Sequence, residues 1–380
     1  MYHLVNGHIE SIYSRTTGKW SPLTFVSDPH VRIHGLSPAL NYGQQVLEGL
    51  KAFRMPGDAG GIALFRPDRH AARFRHSAAV LSLPPVPADT FMRACRAAVA
   101  RNAQYVPPHG SGGALYVRPQ LYGSSAMFKL AAPAECAFRV FVLPTGGTHH
   151  DHGTAAPVKA LILDRFDRAA PLGTGHAKVG GNYAPVLRWS DQAGREGFGI
   201  TLHLDSARHE TVDEFSTCGF VGVISPRRDD DDGDDKDVTL VVPDSACAIN
   251  SVTSDSIQRI GRSFGWDVEK RPVRYAELPS FDEVLGAGTA VALIPIRSIT
   301  RERTAGVSVV SGPRVQVDAE TETISYLSDE QQSGGPVYLK LLARLLAIQQ
   351  GKVWDEFGWR FEVKAEDRDV PGRNENIDNR

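Results

Sequence analysis

Apolar residues recur with α-helical spacing in two stretches of the N-terminal part, residues 68–83 and 88–106. The second stretch begins near Asp89, which we expect to cap the helix. Two runs with strand character follow at residues 113–123 and 137–146, and Gly and Pro bound both of them. The N-terminal part is therefore expected to combine strands with two helices.

The C-terminal part alternates apolar runs that are typical of buried strands with segments of helical periodicity. In the last helical segment Pro336 stands at the start and Gly351 just beyond the end, an asymmetry that is common at helix termini. Strands are expected at residues 158–164, 199–205, 219–225, 238–243 and 290–296, and helices at 183–197, 254–266 and 335–351. This alternation predicts an α/β protein.

The chain length predicts more than one domain. With 380 residues, the chain exceeds the roughly 250–300 residues at which a single core stops growing. Residues 147–156 lack an apolar period and mark the expected hinge. We expect a smaller N-terminal α/β domain over residues 1–150, a connector over 151–165, a larger C-terminal domain over 166–365 and a polar tail over 366–380.

Composition and charge argue against several classes of function. A hydrophobic fraction of 42% with 23% charged residues is ordinary for a soluble globular protein, and the formal net charge of -2 does not favour binding to nucleic acid or to a membrane surface. We find no targeting segment and no apolar run long enough to span a bilayer. The four widely spaced cysteines fit reduced thiols. A cytoplasmic protein is expected, and mitochondrial import stays open if a presequence was removed.

Two polar clusters are interpreted as solvated loops. His149, His150 and His152 lie in the connector, and we predict no metal site there. The acidic block at residues 227–237 repels itself and is expected to be an exposed loop between two strands.

The stretch GTGHAKVGGNYAP, residues 173–185, places Lys178 among four glycines. Glycine allows the backbone to approach a flat ligand closely and permits unusual dihedral angles. Burial lowers the pKa of a lysine, and the neutral amine can form a Schiff base with an aldehyde. On spacing alone, a structural lysine that extends from a turn stays an alternative.

Seven segments, in order along the chain, resemble the branched-chain aminotransferases, which are pyridoxal-phosphate enzymes of fold type IV. They are residues 41–54, 73–78, 115–124, 173–185, 212–219, 251–257 and 286–296. The N-terminal half is most similar to fungal members, some of which serve specialised metabolism. The resemblance implies the D-amino acid aminotransferase-like fold, with pyridoxal 5'-phosphate between two α/β domains.

The resemblance also implies the cofactor-binding residues. Lys178 would hold the cofactor as a Schiff base and move protons at the substrate Cα. Glu214 would face the pyridine nitrogen, Arg73 would bind the phosphate, and Tyr183 would lie beside the phenolic oxygen. Residues expected around the phosphate and the rest of the cofactor are Thr217, Val252, Thr253 and Thr289. Independently, the segment SVTSDSIQRI predicts a helix N-terminus, which is an anion site.

For the substrate, the resemblance implies Tyr42, Leu47, Tyr116, Arg118, Thr289 and Ala290. Arg118 would help to bind the distal carboxylate of glutamate. The backbone amides of the GTA turn would bind the α-carboxylate. Three positions depart from the family pattern. Leu47 replaces an aromatic residue and would widen the pocket, while Asn41 and Gly219 also differ from the usual residues.

The implied activity is transfer of the amino group of a branched-chain or related aliphatic L-amino acid to 2-oxoglutarate, by a ping-pong mechanism through Lys178. A homodimer is the expected assembly, with amino acids and 2-oxo acids as the small-molecule partners. Three alternatives on the same fold stay open: a D-amino acid transaminase, an (R)-amine transaminase and a pyridoxal-phosphate lyase.

Overall fold

The computed structural model describes residues 5–57, 60–146, 155–225, 237–303 and 309–373. These residues form two compact units. Unit 1 comprises the described residues of 1–149, 177–181 and 347–380, and unit 2 those of 150–176 and 182–346. Residues 177–181 and 347–373 thus group with unit 1, although the domain boundaries drawn from the sequence assign most of them to the C-terminal domain. The three loop histidines and nearly all of the acidic block lie outside the described residues.

Unit 1 is built on one large sheet that packs against helices. The strands are β1 (His8–Ser14), β2 (Lys19–Trp20), β3 (Thr24–Val26), β4 (Gln45–Leu47), β5 (Leu50–Arg54), β6 (Ile62–Phe65), β7 (Ala114–Gly123), β8 (Glu135–Thr145), β19 (Arg360–Val363) and β20 (Gly372–Arg373), and the helices are α1 (Pro38–Tyr42), α2 (Pro67–Val80) and α3 (Ala88–Arg101). The strand order is β19-β6-β5-β7-β8-β1-β3-β20, with β2 beside β1 and β4 beside β7.

The core of unit 1 lies between this sheet and helices α2 and α3. Leu50 and Val117 from the sheet and Phe74 and Phe91 from the helices are all buried in it. Pro67 occupies the first turn of α2, where a backbone N–H would have no partner within the helix, so a proline is tolerated. The helical repeat places His70, Phe74 and Ser77 on the buried side of α2.

Unit 2 is built on a second mixed sheet. The strands are β9 (Val158–Ile162), β10 (Ile200–Leu204), β11 (Val212–Phe215), β12 (Gly219–Ile224), β13 (Thr239–Pro243), β14 (Asp267–Arg271), β15 (Glu283–Gly288), β16 (Ala292–Glu302), β17 (Val315–Val317) and β18 (Thr321–Ser325), and the helices are α4 (Leu187–Arg195), α5 (Val252–Ser263) and α6 (Pro336–Gln349). The order is β11-β10-β9-β16-β15-β12-β13-β14, and β18 joins β16 to β17. Phe215, Phe220 and Phe281 fill part of its core.

All five helices expected from the sequence are present, but several of their ends differ: α3 ends at Arg101 rather than at residue 106, and α4 begins at Leu187 rather than at residue 183. Helix α6 begins at Pro336, and Gly351 beyond its end has a φ of 71°. The predicted cap of α3 is wrong: Pro87 occupies the N-cap position without a side-chain cap, and Asp89 lies in the first turn. A carboxylate in the first turn still stabilises the helix, because its negative charge lies near the positive end of the helix dipole.

Sheet topology was less accessible from the sequence. The strand expected at residues 290–296 begins only at Ala292, because the preceding residues form the turn that follows β15. Strands β1 and β15 carry no strong alternation and were not predicted individually. Within the described residues, no helix combines the length and apolar character that crossing a membrane requires.

Candidate active site

Lys178 lies in a short extended segment that is joined to strand β4. Ala177 and Val179 on either side of it are buried in the core of unit 1, whereas Lys178 itself is half-buried. Val179 forms an antiparallel bridge with Val46, and the Leu47 N–H donates to the Lys178 carbonyl at 3.1 Å. The backbone of the predicted catalytic lysine is therefore fixed beside the predicted substrate residue Leu47.

Helix α2 provides a second support for the lysine. The Lys178 N–H donates to the Ser77 hydroxyl at 2.9 Å, and Ser77 is completely buried. Arg73 lies four residues earlier on the same helix, so both side chains share a face. Helix α2 thus positions Arg73 relative to the backbone of Lys178.

Arg73 binds a carboxylate that the sequence analysis did not single out. Its Nε and Nη2 donate to the two oxygens of Glu48 at 2.5 and 2.8 Å, and His70 Nδ1 lies 2.7 Å from Glu48 Oε2. Burial alone would raise the pKa of Glu48, but Arg73 and His70 outweigh it and hold this pKa well below its usual range. Burial lowers the pKa of His70. The cluster therefore contains an ionised Glu48, a charged Arg73 and a neutral His70.

The glycines around Lys178 serve packing of the chain, contrary to the expectation of unusual dihedrals. None of Gly173, Gly175, Gly180 and Gly181 has a positive φ. A Cβ on Gly175 would lie 2.5 Å from the Cys247 carbonyl oxygen, and one on Gly180 would lie 2.6 Å from the Gln45 side-chain nitrogen. At these two positions glycine is needed because other protein atoms approach the backbone. Of the four glycines, Gly181 alone is placed where a Cβ would meet open space.

Tyr116 and Arg118 form a polar pair on strand β7. Arg118 Nη2 donates to the Tyr116 hydroxyl at 3.1 Å. The hydroxyl lies so close to the junction between strands β4 and β5 that a Cβ on Gly49 would be 1.8 Å from it. Within the part of the chain that the structure describes, Arg118 has no carboxylate partner and its buried Nε has no hydrogen-bond acceptor. Such an orphaned cationic donor is suited to an anionic ligand.

Lys51 and Tyr42, also in unit 1, differ from Arg118 in their surroundings. Lys51 lies directly opposite Tyr116 in the β5–β7 register, and burial lowers its pKa to about 8. Tyr42 lies on α1, is 45% exposed and donates its hydroxyl hydrogen to the Phe128 carbonyl at 2.7 Å. Tyr42 is thus placed on a surface, whereas Tyr116 and Arg118 are half-buried.

In unit 2, Glu214 is buried on strand β11, and two groups contact its Oε1. The Ile249 N–H donates to Oε1 at 3.2 Å, and Arg168 forms an ion pair with the same atom. Arg168 also donates to the Cys247 carbonyl at 2.7 Å. His203 is the cross-strand neighbour of Glu214, and burial, followed by the charge of Arg168, lowers its pKa to about 3. Glu214 therefore lies between a charged arginine and a neutral histidine.

Helix α5 and the β15–β16 turn supply the backbone amides predicted for anion binding. The Ser251 hydroxyl caps α5 by accepting from the Ser254 N–H, and donates to the Ala287 carbonyl at 3.0 Å. This confirms the helix start expected from the sequence. Val252 and Thr253 form the buried first turn of the helix. Ser251 therefore ties the predicted phosphate helix to the strand that leads into the predicted carboxylate turn.

The remaining predicted residues lie close to that turn or at the start of a helix. Thr289 is half-buried and Ala290 exposed in the turn, which closes through Ala292 at a φ of 66°, a strained value for a residue with a Cβ. The Thr217 carbonyl lies near Gly288, since a Cβ there would be 3.5 Å from its oxygen. Tyr183 is half-buried before the short 3-10 helix at residues 184–186.

Sequence reasoning missed Glu48, His70, Ser77, Arg168 and His203. All five have buried side chains, and in the amino-acid sequence they look like ordinary helix, loop or strand residues. Glu48 stands inside a segment that carried the family resemblance, so its position was a usable signal.

Comparison with known protein families decides the class. The family described as amino-transferase class IV matches residues 45–299, about two thirds of the chain. The chain belongs to the class IV aminotransferases. Members of this class use pyridoxal phosphate, and one solved relative contains pyridoxamine 5'-phosphate. This chain is therefore a pyridoxal-phosphate-dependent transaminase that acts on amino acids and 2-oxo acids.

Fungal class IV aminotransferases are similar over almost their whole length. Transaminase htyB of Aspergillus rugulosus is 47% identical over 94% of this chain and 89% of its own length. Aminotransferase poxL of Penicillium oxalicum is 49% identical over 94% of this chain and 90% of its own. Branched-chain amino acid aminotransferase gloG of Glarea lozoyensis is 44% identical, over 93% and 91% respectively.

Solved structures of class IV aminotransferases share the fold. The branched-chain amino acid aminotransferase of Escherichia coli superposes with a TM-score of 0.71 at 21% identity, over 95% of this chain and all of the other. The branched-chain aminotransferase of the archaeon Thermoproteus uzoniensis, solved with norvaline, gives a TM-score of 0.65 at 20% identity, over 94% and 100%. The expected α/β fold of type IV is thereby confirmed.

Proposed function

We propose that the enzyme transfers the amino group of a branched-chain or related aliphatic L-amino acid to 2-oxoglutarate. The setting of Arg118 is the observation that supports 2-oxoglutarate as the acceptor of the amino group. Its guanidinium contacts the Tyr116 hydroxyl and has no carboxylate partner within the described ranges, which suits the distal carboxylate of a dicarboxylic acid. The apolar Leu47 supports the aliphatic half, as does the similarity to a relative named a branched-chain amino acid aminotransferase.

Two side chains of unit 1 suit the cofactor: an amine to which it can be attached and a cation for its phosphate. Lys178 offers a half-buried amine on a fixed backbone, and Arg73 offers a cation on the neighbouring helix face. We assign to Lys178 the attachment of the cofactor and the transfer of a proton from the substrate Cα, and to Arg73 the binding of the phosphate. When bound, pyridoxal phosphate supplies the electron sink that makes the Cα proton acidic.

Residues of unit 2 suit the pyridine nitrogen and the phosphate of the cofactor, and the carboxylate of the substrate. Glu214 is a buried carboxylate that forms an ion pair with Arg168, and a carboxylate can stabilise a protonated pyridine nitrogen. The first turn of α5, with Val252 and Thr253, offers backbone N–H groups to an anion. We assign Tyr183 and Thr217 to the cofactor as well. Thr289 and Ala290 are assigned to the substrate carboxylate.

We also propose that the enzyme is a homodimer. Helix α1 and the segment near residue 128 expose apolar side chains close to Tyr42: Leu40 is 61% exposed, Phe128 82% and Leu130 88%. A hydrogen bond between Tyr42 and Phe128 joins the two segments. A surface of this kind is typical of a protein interface. Light scattering of the purified enzyme tests the assembly, and a monomer at micromolar concentration would contradict it.

Absorbance spectroscopy of the cofactor-loaded enzyme tests the substrate proposal. Addition of L-leucine alone, and of L-glutamate alone, should each convert the bound cofactor to its aminated form in a single half-reaction. D-leucine and an (R)-amine serve as stereochemical controls and should cause no conversion. Conversion by the D- or (R)-compounds but not by L-leucine would contradict the proposal.

A further inference from the structure

Glu48 occupies the junction between strands β4 and β5 and is fully buried. Four donors converge on its two oxygens. Arg73 Nε lies 2.5 Å from Oε1, while Arg73 Nη2, His70 Nδ1 and the Gly49 N–H lie 2.8, 2.7 and 3.0 Å from Oε2. A carboxylate held in this way cannot rotate without losing several hydrogen bonds at once.

The charges within the cluster balance. Because His70 is neutral and Glu48 is ionised, the Nδ1 of His70 must carry the proton that it donates to Glu48. The single positive charge of Arg73 then faces the single negative charge of Glu48. Arg73 is consequently held in place before any phosphate is bound.

We propose that Glu48 is a positioning residue that orients the guanidinium of Arg73 for the cofactor phosphate. A carboxylate that binds the Nε and Nη2 edge of an arginine fixes the guanidinium plane and directs the opposite edge away from itself. A guanidinium recognises phosphate through its plane and its paired donors, so a rotated plane loses affinity. This inference rests on the proposed role of Arg73.

The same face of α2 also supports Lys178. His70, Arg73 and Ser77 lie one turn apart on α2, and Ser77 accepts the Lys178 N–H. The hydrogen bonds of Glu48 join it to Arg73 and His70, whereas Ser77 holds the backbone of the lysine, so the two supports on this helix are separate. Glu48 acts through Arg73, and its effect should appear only for ligands that carry a phosphate.

Equilibrium binding to the full chain stripped of its cofactor tests this inference, with pyridoxal 5'-phosphate and pyridoxal as the two ligands. Glu48→Gln keeps the size of the side chain, removes its charge and turns a donor towards Arg73. We expect pyridoxal phosphate to bind about 10- to 100-fold more weakly, by analogy with the loss of affinity when the hydrogen-bond partner of a metal-ligating residue is removed. The affinity for pyridoxal should not change.

A matched control and a double variant separate positioning from general stability. Glu10 is another buried glutamate of unit 1 that is paired with an arginine, Arg139. Glu10→Gln should therefore lower the stability of the fold without changing the ratio of the affinity for pyridoxal phosphate to the affinity for pyridoxal. In an Arg73→Gln background, adding Glu48→Gln should not lower the ratio further. Glu48→Asp, which keeps the charge but shortens the reach, should also lower the ratio and serves if the glutamine variant does not fold.

Three results would overturn the inference. The first is an unchanged or tighter binding of pyridoxal phosphate in folded Glu48 variants, the outcome expected if Glu48 merely competes with phosphate for Arg73. The second is a full additional loss in the Arg73→Gln background. The third is an unchanged ratio in Arg73→Gln itself, which would also remove the proposed phosphate role of Arg73. A lowered ratio in Arg73→Gln together with a normal ratio in Glu48→Gln would leave that role intact and reject only the inference.

Discussion

The backbone N–H of Lys178 donates a 2.9 Å hydrogen bond to the buried hydroxyl of Ser77. Lys178 is thereby attached to helix α2 and, through its carbonyl, to the N–H of Leu47. The two bonds hold the lysine backbone at a fixed place in unit 1 while its side chain stays half-buried.

Ser77→Ala removes this acceptor and should lower both stability and cofactor affinity. A buried donor that loses its partner costs about 1–3 kcal/mol in the free energy of unfolding. Chemical denaturation of the apo- and holoenzyme measures the cost. Ser11 is a buried serine of the same unit whose hydroxyl donates to the Ser21 carbonyl, so Ser11→Ala should lower stability without weakening cofactor binding. Equal cofactor affinities in the two variants would contradict the role assigned to Ser77.

Arg118→Met should affect the dicarboxylic substrates selectively. A hydrogen bond to a charged group contributes about 1.5–3 kcal/mol, which corresponds to an increase of about 10- to 100-fold in KM for 2-oxoglutarate. The KM for L-leucine should change much less. Steady-state kinetics with each substrate varied in turn measures both values. A parallel increase for both substrates would show that Arg118 does not select the distal carboxylate.

Glu214→Gln should bind the cofactor but slow the loss of the Cα proton. Loss of a preorganised electrostatic partner costs about 10²- to 10³-fold in kcat. Single-turnover absorbance with L-leucine measures the rate. Glu214→Asp, which keeps the charge, should retain more activity than the glutamine variant. An unchanged rate in Glu214→Gln would place the partner of the ring nitrogen elsewhere.

Arg168→Met should destabilise the protein because it leaves Glu214 buried without its cation. Breaking such a pair from one side costs about 3–5 kcal/mol in the free energy of unfolding. The double variant Arg168→Met/Glu214→Gln should recover part of this loss, since no charge is then left uncompensated. Denaturation midpoints of the two single variants and the double variant test this. Strict additivity would exclude coupling between Arg168 and Glu214.

Asp205 should make stability depend on pH in acid. Burial alone would raise the pKa of Asp205, but hydrogen bonds from the N–H groups of Thr211, Glu210 and Arg208 outweigh it and lower the pKa to about 2. A carboxyl group with a depressed folded-state pKa stabilises the fold above its unfolded pKa, and this contribution disappears as pH falls through the folded value.

Asp205→Ala should therefore be less stable than the wild type near neutral pH, by about 0.5–1.5 kcal/mol, the net value of an ordinary hydrogen bond, because the N–H groups that lose this acceptor are exposed or only partly buried. The gap should narrow between about pH 4 and pH 2, as the wild-type carboxyl takes up its proton. Denaturation of both proteins across this range measures the gap. A gap that stays constant with pH would contradict the argument.

The sequence predicted elements well where local chemistry determines them. Proline at the start of α6 and glycine after its end each act within one turn, so pattern reasoning located both ends of this helix. The segment that opens α5 was also recognised, although the periodicity placed the helix at residues 254–266 and the structure begins it at Val252, after Ser251. Asp89 failed as a cap because the first turn of α3 begins one residue earlier, after Pro87. The order of the strands depends on partners far apart in the chain and could not be read from local patterns.

The candidate site shows the same division. Lys178, Arg73, Glu214 and Arg118 were recognised from the family resemblance, but the groups that hold them were not. Glu48 meets Arg73 from another element, and Arg168 meets Glu214 from a loop, so neither partnership leaves a periodic signal. The glycines near Lys178 suggested close approach of a ligand, yet Gly175 and Gly180 pack against protein atoms.

The attachment of the cofactor to Lys178 is the central claim, and one measurement tests it most directly. The cofactor-loaded enzyme is reduced with borohydride, digested and analysed by mass spectrometry to locate the pyridoxyl group. We predict the label on the peptide that contains Lys178, and no label at that peptide in Lys178→Ala. Lys51 provides the internal control, because its lowered pKa makes it the other candidate amine of unit 1. A label on Lys51 with Lys178 unmodified would contradict the account.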